Sequence, residues 1–293
     1  LQTVYTSEGT AVNPAGLAHV NSYIPDVAEM TMDFLYGGDL LGNVWRMDFT
    51  SSSSNVPTPT LMATLTDGLG VAQPITTEVA PAAAPDLFRY VFVGTGRLLH
   101  NDDRDNTQQQ TFYALKDGTV SAPYSDQVGV GRQLPSGVSF PFGRSNMVAV
   151  TSLISGAILD DEKPMGWYYD LTGVSGNYRE QITIRPQTNE GVVSWIGTLM
   201  NQDKCNPAGQ SNAYAVHFSS AKTAFGRVQN GVRVPVEMVS SSSGVVGARL
   251  VRIGNTIRLL GSSSDPTLGA SILGSQVGGL SDPHVLNWRI IGQ

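Results

Sequence analysis

The sequence has little cysteine and little histidine, and both shortages exclude kinds of site. Cys205 is its only cysteine, so no disulfide can form within the chain and no cysteine-based zinc site can be built. Its thiol is expected either to be half-buried or to pair with another part of a longer protein. The four histidines, His19, His100, His217 and His284, stand in no metalloprotease or nucleophile motif, so no catalytic centre is predicted.

Other absences limit the partners. No apolar run approaches the ~20 residues of a membrane helix, so no membrane span is predicted. The net charge is −6 and lysine and arginine do not cluster, which argues against nucleic acid as the main partner. The sequence has no Arg-Gly-Asp triplet, which excludes an integrin-type contact through that motif. The chain begins at Leu1 without an initiator methionine or signal segment, so we expect a mature product or a fragment of something longer.

What the sequence has in excess is glycine and proline. Its 32 glycines and 16 prolines would interrupt helices throughout, which excludes a helical bundle. A hydrophobic content of 41% is too high for a disordered chain. Only 14% of the residues are charged, against about 25% in a typical domain, which predicts a nearly neutral surface. Together these features indicate an all-β fold with many turns.

Short apolar runs bounded by glycine, asparagine, aspartate and serine predict strands along the whole chain. The clearest lie at residues 34–39, 40–48, 90–96, 111–115, 166–171, 191–199, 213–218, 244–250 and 256–260. A strand, a glycine-containing turn and a second strand recur at 34–48, 90–117 and 192–218. This weak repeat favours a radial or stacked β architecture.

The remaining segments are assigned by composition. Serine-rich or proline-rich stretches at 50–55, 80–85, 240–243 and 262–264 are interpreted as loops. The tryptophans, Trp45, Trp167, Trp195 and Trp288, fall in predicted strands and are expected to fill the core. No composition shift marks a boundary. Residues 1–293 are therefore predicted to form one region. Within it, residues 1–33 are expected to be a connecting segment or the end of a preceding blade, that is, of a preceding β-sheet in a radial arrangement.

Several segments, taken in order, resemble one known family. They are YGGDLLGNVWRMD at 36–48, VGTGRLL at 93–99, TFYALKD at 111–117, GWYYDL at 166–171, GTLM at 197–200, DKCNPAG at 203–209 and NWR at 287–289. In this order they resemble the C-terminal β-propeller of the PilY/PilC family of type IV pilus biogenesis factors and tip adhesins. The first motif also occurs in quinoprotein-like propeller repeats, and the ordered set is the more specific signal.

The resemblance implies a non-enzymatic β-propeller with quinoprotein-like blades. It places the protein outside the cell, at the pilus tip or outer surface of a Gram-negative bacterium, which it reaches through the periplasm. The implied partners are minor pilins of the tip complex and a host or abiotic surface, and the implied roles are pilus biogenesis, twitching motility and attachment. Family propellers are usually longer, so we expect only part of the disc, with open sheet edges that would destabilise it alone.

Calcium is implied by the same resemblance, because some family members carry a calcium loop just before the segment matching 36–48. Here the corresponding residues 25–33 read PDVAEMTMD. Asp33 matches the closing carboxylate of that loop and Glu29 an inner one. Proline and valine occupy two ligand positions, and methionine replaces the glycine of the sharp turn. Calcium at Glu29 and Asp33 is therefore a hypothesis set against a solvated loop without a cofactor.

Two other motifs are read as structural. Residues 101–106, NDDRDN, begin with EF-hand-like spacing, but Asn106 replaces the turn glycine and Phe112 the bidentate glutamate, so a polar hairpin loop is predicted. Gly94 and Gly96 lack the helix and acidic partner of a dinucleotide site. They are expected to let the strand turn or a neighbouring backbone approach closely.

Two alternative functions stay open. One is a calcium- or quinone-dependent propeller oxidoreductase, although the chain is too short for an eight-bladed disc and lacks the vicinal cysteine pair of many such enzymes. The other is a structural scaffold that docks an N-terminal adhesive module.

Overall fold

The computed structural model describes residues 3–24, 32–50, 57–157, 164–175, 178–200, 209–253, 256–263 and 272–277. In chain order its strands are β1 (His19–Tyr23), β2 (Phe34–Gly38), β3 (Asn43–Asp48), β4 (Thr60–Thr64), β5 (Ala80–Ala83), β6 (Phe88–Gly94), β7 (Thr111–Thr119), β8 (Tyr124–Ser125), β9 (Arg132–Gln133), β10 (Val148–Ala149), β11 (Gly166–Asp170), β12 (Val174–Ser175), β13 (Tyr178–Arg179), β14 (Gln187–Asn189), β15 (Val192–Leu199), β16 (Gln210–His217), β17 (Gly226–Gln229), β18 (Val232–Pro235), β19 (Val239–Ser241), β20 (Val245–Ile253), β21 (Thr256–Ser263) and β22 (Ile272–Val277). Two 3₁₀ helices cover Asn101–Asp105 and Arg144–Asn146. The described residues contain no α-helix, and thus none that could span a bilayer, and the all-β prediction is confirmed.

Four larger sheets follow one another along the chain. Sheet I has the order β1-β2-β3-β4 and sheet III the order β14-β15-β16-β19, and both are antiparallel throughout. Sheet II joins β5, β6, β7 and β11 as antiparallel neighbours and adds β10 parallel to β11. Sheet IV has the order β20-β21-β22. Three two-stranded pairs, β8-β9, β12-β13 and β17-β18, lie in the connections.

Sheet II is covered on both faces. On β6, Val91 and Val93 belong to an apolar cluster shared with sheet I, whereas Tyr90 and Phe92 belong to a cluster shared with sheet III. Successive side chains of a strand point to opposite faces. A strand buried on both faces therefore reads as a continuous apolar run, which is why residues 90–94 are so easily recognised.

Sheet III repeats this arrangement. On β15, Val193 and Trp195 face the cluster shared with sheet II, and Val192 and Ile196 face a cluster shared with sheet IV. Each sheet thus shares an apolar core with the next one along the chain.

Large rings fill the space between sheets II and III. Trp195 lies parallel to Phe112, with ring centroids 3.9 Å apart, and parallel to Tyr214 at 4.9 Å. Trp45, Trp167 and Trp195 are all buried, as predicted, and Trp288 lies outside the described residues. These stacked rings contribute large apolar areas together with ring-on-ring contacts.

The central strand pairs were predicted correctly, but three segments predicted as loops contain strand residues. Residues 80–85 contain β5, and residues 240–243 contain the end of β19. Both strands lie at sheet edges. An edge strand needs hydrogen bonds on one side only, so β5 tolerates Pro81, which a central strand would not. The serines at 262–263, also predicted to lie in a loop, belong to β21, the middle strand of sheet IV.

Candidate binding site

The loop between β6 and β7 folds around the buried carboxylate of Asp103. Its oxygens accept hydrogen bonds from the backbone N–H groups of Leu99 and His100, both at 2.8 Å, and from Nε of Arg97 at 2.7 Å. Burial alone would raise the pKa of Asp103, but these hydrogen bonds lower it below its ordinary value. The predicted hairpin loop connects β6 and β7, which pair antiparallel, and it contains a 3₁₀ helix whose central acid, Asp103, already accepts hydrogen bonds from protein donors.

A cleft of about 760 Å³ opens beside this 3₁₀ helix. Its walls come from residues 98–101 and Arg104, from residues 183–184, from the end of β15 and from residues 244–246 at the start of β20. Its volume falls in the range of roughly 300–1,000 Å³ that is usual for ligand sites. We call it the binding cleft.

A second cleft, of about 440 Å³, is lined by the three aspartates of the same helix, Asp102, Asp103 and Asp105. Asn101 and Arg104 line the binding cleft instead. The short helix thus distributes its charges between two clefts, with the carboxylates in one and the guanidinium in the other.

Residues 178–182 form a strap that joins sheets II and III. Gln181 exchanges two backbone hydrogen bonds with Thr198 of β15, at 3.0 and 2.7 Å, and Ile182 N–H donates to the carbonyl of Thr95 at 3.0 Å. A Cβ at Gly96 would lie 2.9 Å from the backbone of Ile182. The predicted close approach of a neighbouring backbone at this glycine is confirmed.

The strap also carries a buried carboxyl group. Glu180 has 0% exposure and accepts hydrogen bonds from the Tyr214 hydroxyl at 3.1 Å, Asn212 Nδ2 at 3.3 Å and the Gly173 N–H at 2.9 Å. It occupies the space of a missing side chain, because a Cβ at Gly197 would lie 1.8 Å from its Oε1. Burial raises the pKa of Glu180 to about 7, although these hydrogen bonds act to lower it.

The 36–48 motif builds a turn. The buried carboxylate of Asp39 accepts the N–H groups of Leu41 and Asn43, both at 2.9 Å, the side-chain amide of Asn43 at 3.0 Å and the indole N–H of Trp45 at 2.9 Å. One acid thus closes the β2–β3 turn and orients the core tryptophan, which gives this motif a structural explanation.

The predicted calcium residues are only partly within the described part of the chain. Glu29 lies outside it, and Asp33 directly precedes β2. The Asp33 backbone donates to the Tyr23 carbonyl at 3.4 Å and accepts the Phe49 N–H at 2.8 Å. The described residues bring no three acidic, histidine or cysteine side chains together in a metal-holding group. Calcium at Glu29 and Asp33 stays a prediction.

No family model matches the chain, but several proteins are similar to it. A type IV pilus biogenesis factor PilY1 homolog of Xylella fastidiosa is 30% identical over 190 residues, which cover 63% of this chain and 14% of that protein. The type IV pilus biogenesis factor PilY1 of Pseudomonas aeruginosa is 27% identical over 231 residues, which cover 66% of this chain and 20% of that protein. Over these stretches the chain is similar in sequence to PilY1 type IV pilus biogenesis factors.

The fold of the chain agrees with this sequence similarity. The crystal structure of the Pseudomonas aeruginosa PilY1 C-terminal domain matches it with a TM-score of 0.61 and 18% identity, over 88% of this chain and 60% of that chain. The family resemblance seen in the sequence is confirmed. The matched stretch spans no more than a fifth of the two relatives.

Two features of the site were not predicted from the sequence. Glu180 stands between Arg179 and Gln181, a polar context that gives no sign of burial. The binding cleft is assembled from segments about 150 residues apart in the chain, and no local pattern predicts their meeting. The local signals are the glycines at 173 and 197, whose missing side chains make room for Glu180.

Proposed function

We propose that this chain is a binding region, without catalytic activity, of a type IV pilus biogenesis factor. The observation that carries the proposal is its homology to PilY1 factors of two bacteria, supported by the match to the PilY1 C-terminal domain. Minor pilins of the tip complex are the proposed partners, with a host or abiotic surface as the target of attachment. The proposed location is the pilus tip on the outer cell surface.

We further propose that sheets I to IV are consecutive blades of a β-propeller. Three observations support this arrangement. Each sheet is built mainly from strands that follow one another in the chain, the sheets follow in chain order, and each neighbouring pair shares an apolar core. Such radial repetition leaves loops from several sheets at a common surface, where binding residues usually lie.

Direct binding to minor pilins tests the proposed function. The purified 293-residue chain, immobilised on a sensor, is expected to bind the soluble domains of the minor pilins of the same bacterium saturably. Serum albumin, another acidic protein, serves as the control for non-specific attraction. Equal responses to the pilins and to albumin at every concentration would contradict the proposal.

A further inference from the structure

The hairpin formed by β17 and β18 turns at an asparagine followed by a glycine. Its strands pair Gln229 with Val232, so Asn230 and Gly231 alone form the turn. Their φ angles are +50° and +76°, and a two-residue turn with both φ angles positive is the type I′ turn that favours Asn-Gly. Both residues are exposed, and a Cβ built at Gly231 would meet no atom of the described residues within 4 Å apart from its chain neighbours. The bond between Asn230 and Gly231 therefore lies at an open tip in contact with water.

The sequence places glycine after asparagine or aspartate at three positions, and the other two are held by their surroundings. Asp67, before Gly68, is 7% exposed, and one of its carboxylate oxygens accepts two backbone N–H groups of its own turn, both at 2.9 Å. Asp117, before Gly118, is fully buried in an ion pair between sheets I and II. These hydrogen bonds keep both side chains from swinging onto the nitrogen that follows. Of the three pairs, only the one at Asn230 has an exposed side chain.

The base of the hairpin is anchored in the core, whereas β18 is largely exposed. Val236 directly follows β18, and its N–H donates to the carbonyl of Phe225, a residue 1% exposed, at 3.2 Å. Its own carbonyl accepts the Thr223 hydroxyl at 2.6 Å. Val232 and Val234 are 64% and 37% exposed, and the pair has only two strands.

Such a ribbon opens easily at its tip. An isolated two-stranded hairpin is at best marginally stable in water, and hairpins form within about 1–10 μs. The turn therefore opens and closes many times before any slow covalent reaction takes place. The rate of such a reaction depends on the fraction of molecules in which the tip is open.

From these observations we propose that Asn230 is a site of spontaneous deamidation, through a cyclic imide closed by the backbone nitrogen of Gly231. This nitrogen loses its proton and attacks Cγ of Asn230. A new C–N bond forms, the C–N bond of the side-chain amide breaks, and ammonia leaves with the proton. The reaction needs no partner protein, so its failure would leave the proposed binding function untouched.

Water then opens the imide in one of two ways. Breaking the bond between Cγ and the Gly231 nitrogen gives aspartate. Breaking the bond between the backbone carbonyl carbon of Asn230 and that nitrogen gives isoaspartate, in which the main chain runs through the former side chain. Water is the only reactant consumed, and ammonia is the only group released.

The two products change the hairpin differently. Both add one negative charge to a chain of net charge −6. Aspartate keeps the turn because, like asparagine, it tolerates a positive φ. Isoaspartate adds a backbone carbon to a two-residue turn, and the register of a hairpin is set by the length of its loop. The pairing of Gln229 with Val232 is therefore lost in this product, and the hairpin loosens as the molecule ages.

Ageing of the purified chain at pH 8 tests the modification. Trypsin cuts after Arg227 and Arg233 and releases residues 228–233, VQNGVR, whose unmodified, aspartyl and isoaspartyl forms are separated by chromatography and identified by mass. A sample digested without ageing corrects for reaction during the digestion. Deamidation in the folded chain is expected at no less than about a tenth of its rate in the synthetic peptide acetyl-VQNGVR-amide, because opening the tip costs little. A rate below that limit would mean that the turn protects Asn230, and it would overturn the proposal.

Hydrogen exchange of the backbone amides of residues 226–235 tests the loosening. Exchange is expected to be severalfold faster in the isoaspartyl fraction of the aged chain than in the fresh chain. Asn230→Asp adds the charge without the extra backbone carbon, and Asn230→Gly keeps the turn without a side-chain amide, so both variants should exchange like the fresh wild type, the second even after ageing. Equal exchange in the isoaspartyl and fresh chains, or the same acceleration in Asn230→Asp, would contradict the loss of pairing.

Discussion

Replacing Asp117 with alanine is expected to lower the free energy of unfolding by about 3–5 kcal/mol. The carboxylate is fully buried and connects sheets I and II. It accepts hydrogen bonds from the Tyr36 hydroxyl at 2.6 Å, from the guanidinium of Arg46 and from the Tyr124 N–H at 3.3 Å. Arg89, also fully buried, donates to the same Tyr36 hydroxyl at 3.0 Å. Without the carboxylate, Arg46 would lose its buried ion pair.

The protonation of Tyr36 supports this network. Burial first, and then the charge of Asp117, raises the pKa of Tyr36 well above its ordinary value. The hydroxyl therefore keeps the proton that it donates to the carboxylate.

Urea unfolding followed by linear extrapolation measures the effect of Asp117→Ala. Asp126→Ala, at an exposed aspartate, is the matched control and is expected to stay within about 0.5 kcal/mol of the wild type. The double variant Arg46→Met with Asp117→Leu should recover most of the loss, because it removes both charges together. A loss below about 1 kcal/mol for Asp117→Ala would contradict the buried ion pair.

Glu180→Gln is expected to remove a pH dependence of stability worth about 3 kcal/mol. Burial raises the pKa of Glu180 from 4.5 to about 7 in the folded chain. Its proton therefore stabilises the fold fully below pH 4.5, and this stabilisation is lost as the pH rises through about 7. The groups that face the Glu180 carboxyl are Tyr214 and Asn212 of β16 and Tyr169 of β11. Burial is also the main cause that raises the pKa of Tyr169.

The measurement is the difference in unfolding free energy between Glu180→Gln and the wild type at pH 5 and at pH 8. Relative to the wild type, the variant is expected to be more stable at pH 8 than at pH 5. At pH 8 the buried Glu180 of the wild type ionises at a cost in stability, whereas glutamine stays neutral. Glu8→Gln, at an exposed side chain, should show no such change. A difference that stays constant within about 0.5 kcal/mol would mean that Glu180 ionises in the fold at no extra cost.

The central strands were predictable because they are buried on both faces. On β6 and β15, each pair of successive apolar residues serves two different cores, so hydrophobicity alone marks them. Edge strands carry less of this signal. β5 contains Pro81 and small alanines, and its existence depends on pairing with β6 rather than on its own composition.

Buried polar residues could not be predicted individually. Asp39, Asp117 and Glu180 look alike in the sequence, yet one closes a turn, one pairs with an arginine and one keeps a raised pKa. Their roles depend on partners between 2 and 81 residues away. The partners of Asp39 lie within six residues of it, inside the 36–48 motif, whereas the Tyr36 hydroxyl that donates to Asp117 and the Tyr214 hydroxyl that donates to Glu180 come from distant strands.

The most direct test of the central claim is the amount of pilus fibre on cells whose parent gene lacks the codons for this chain. Pilin sheared from the surface is measured by immunoblot, and the rest of the parent protein is measured in the same fractions to show that it is still made and exported. The account predicts a large loss of sheared pilin, restored by the complete gene. Normal amounts of surface pilin together with normal twitching and attachment would contradict a role in pilus biogenesis.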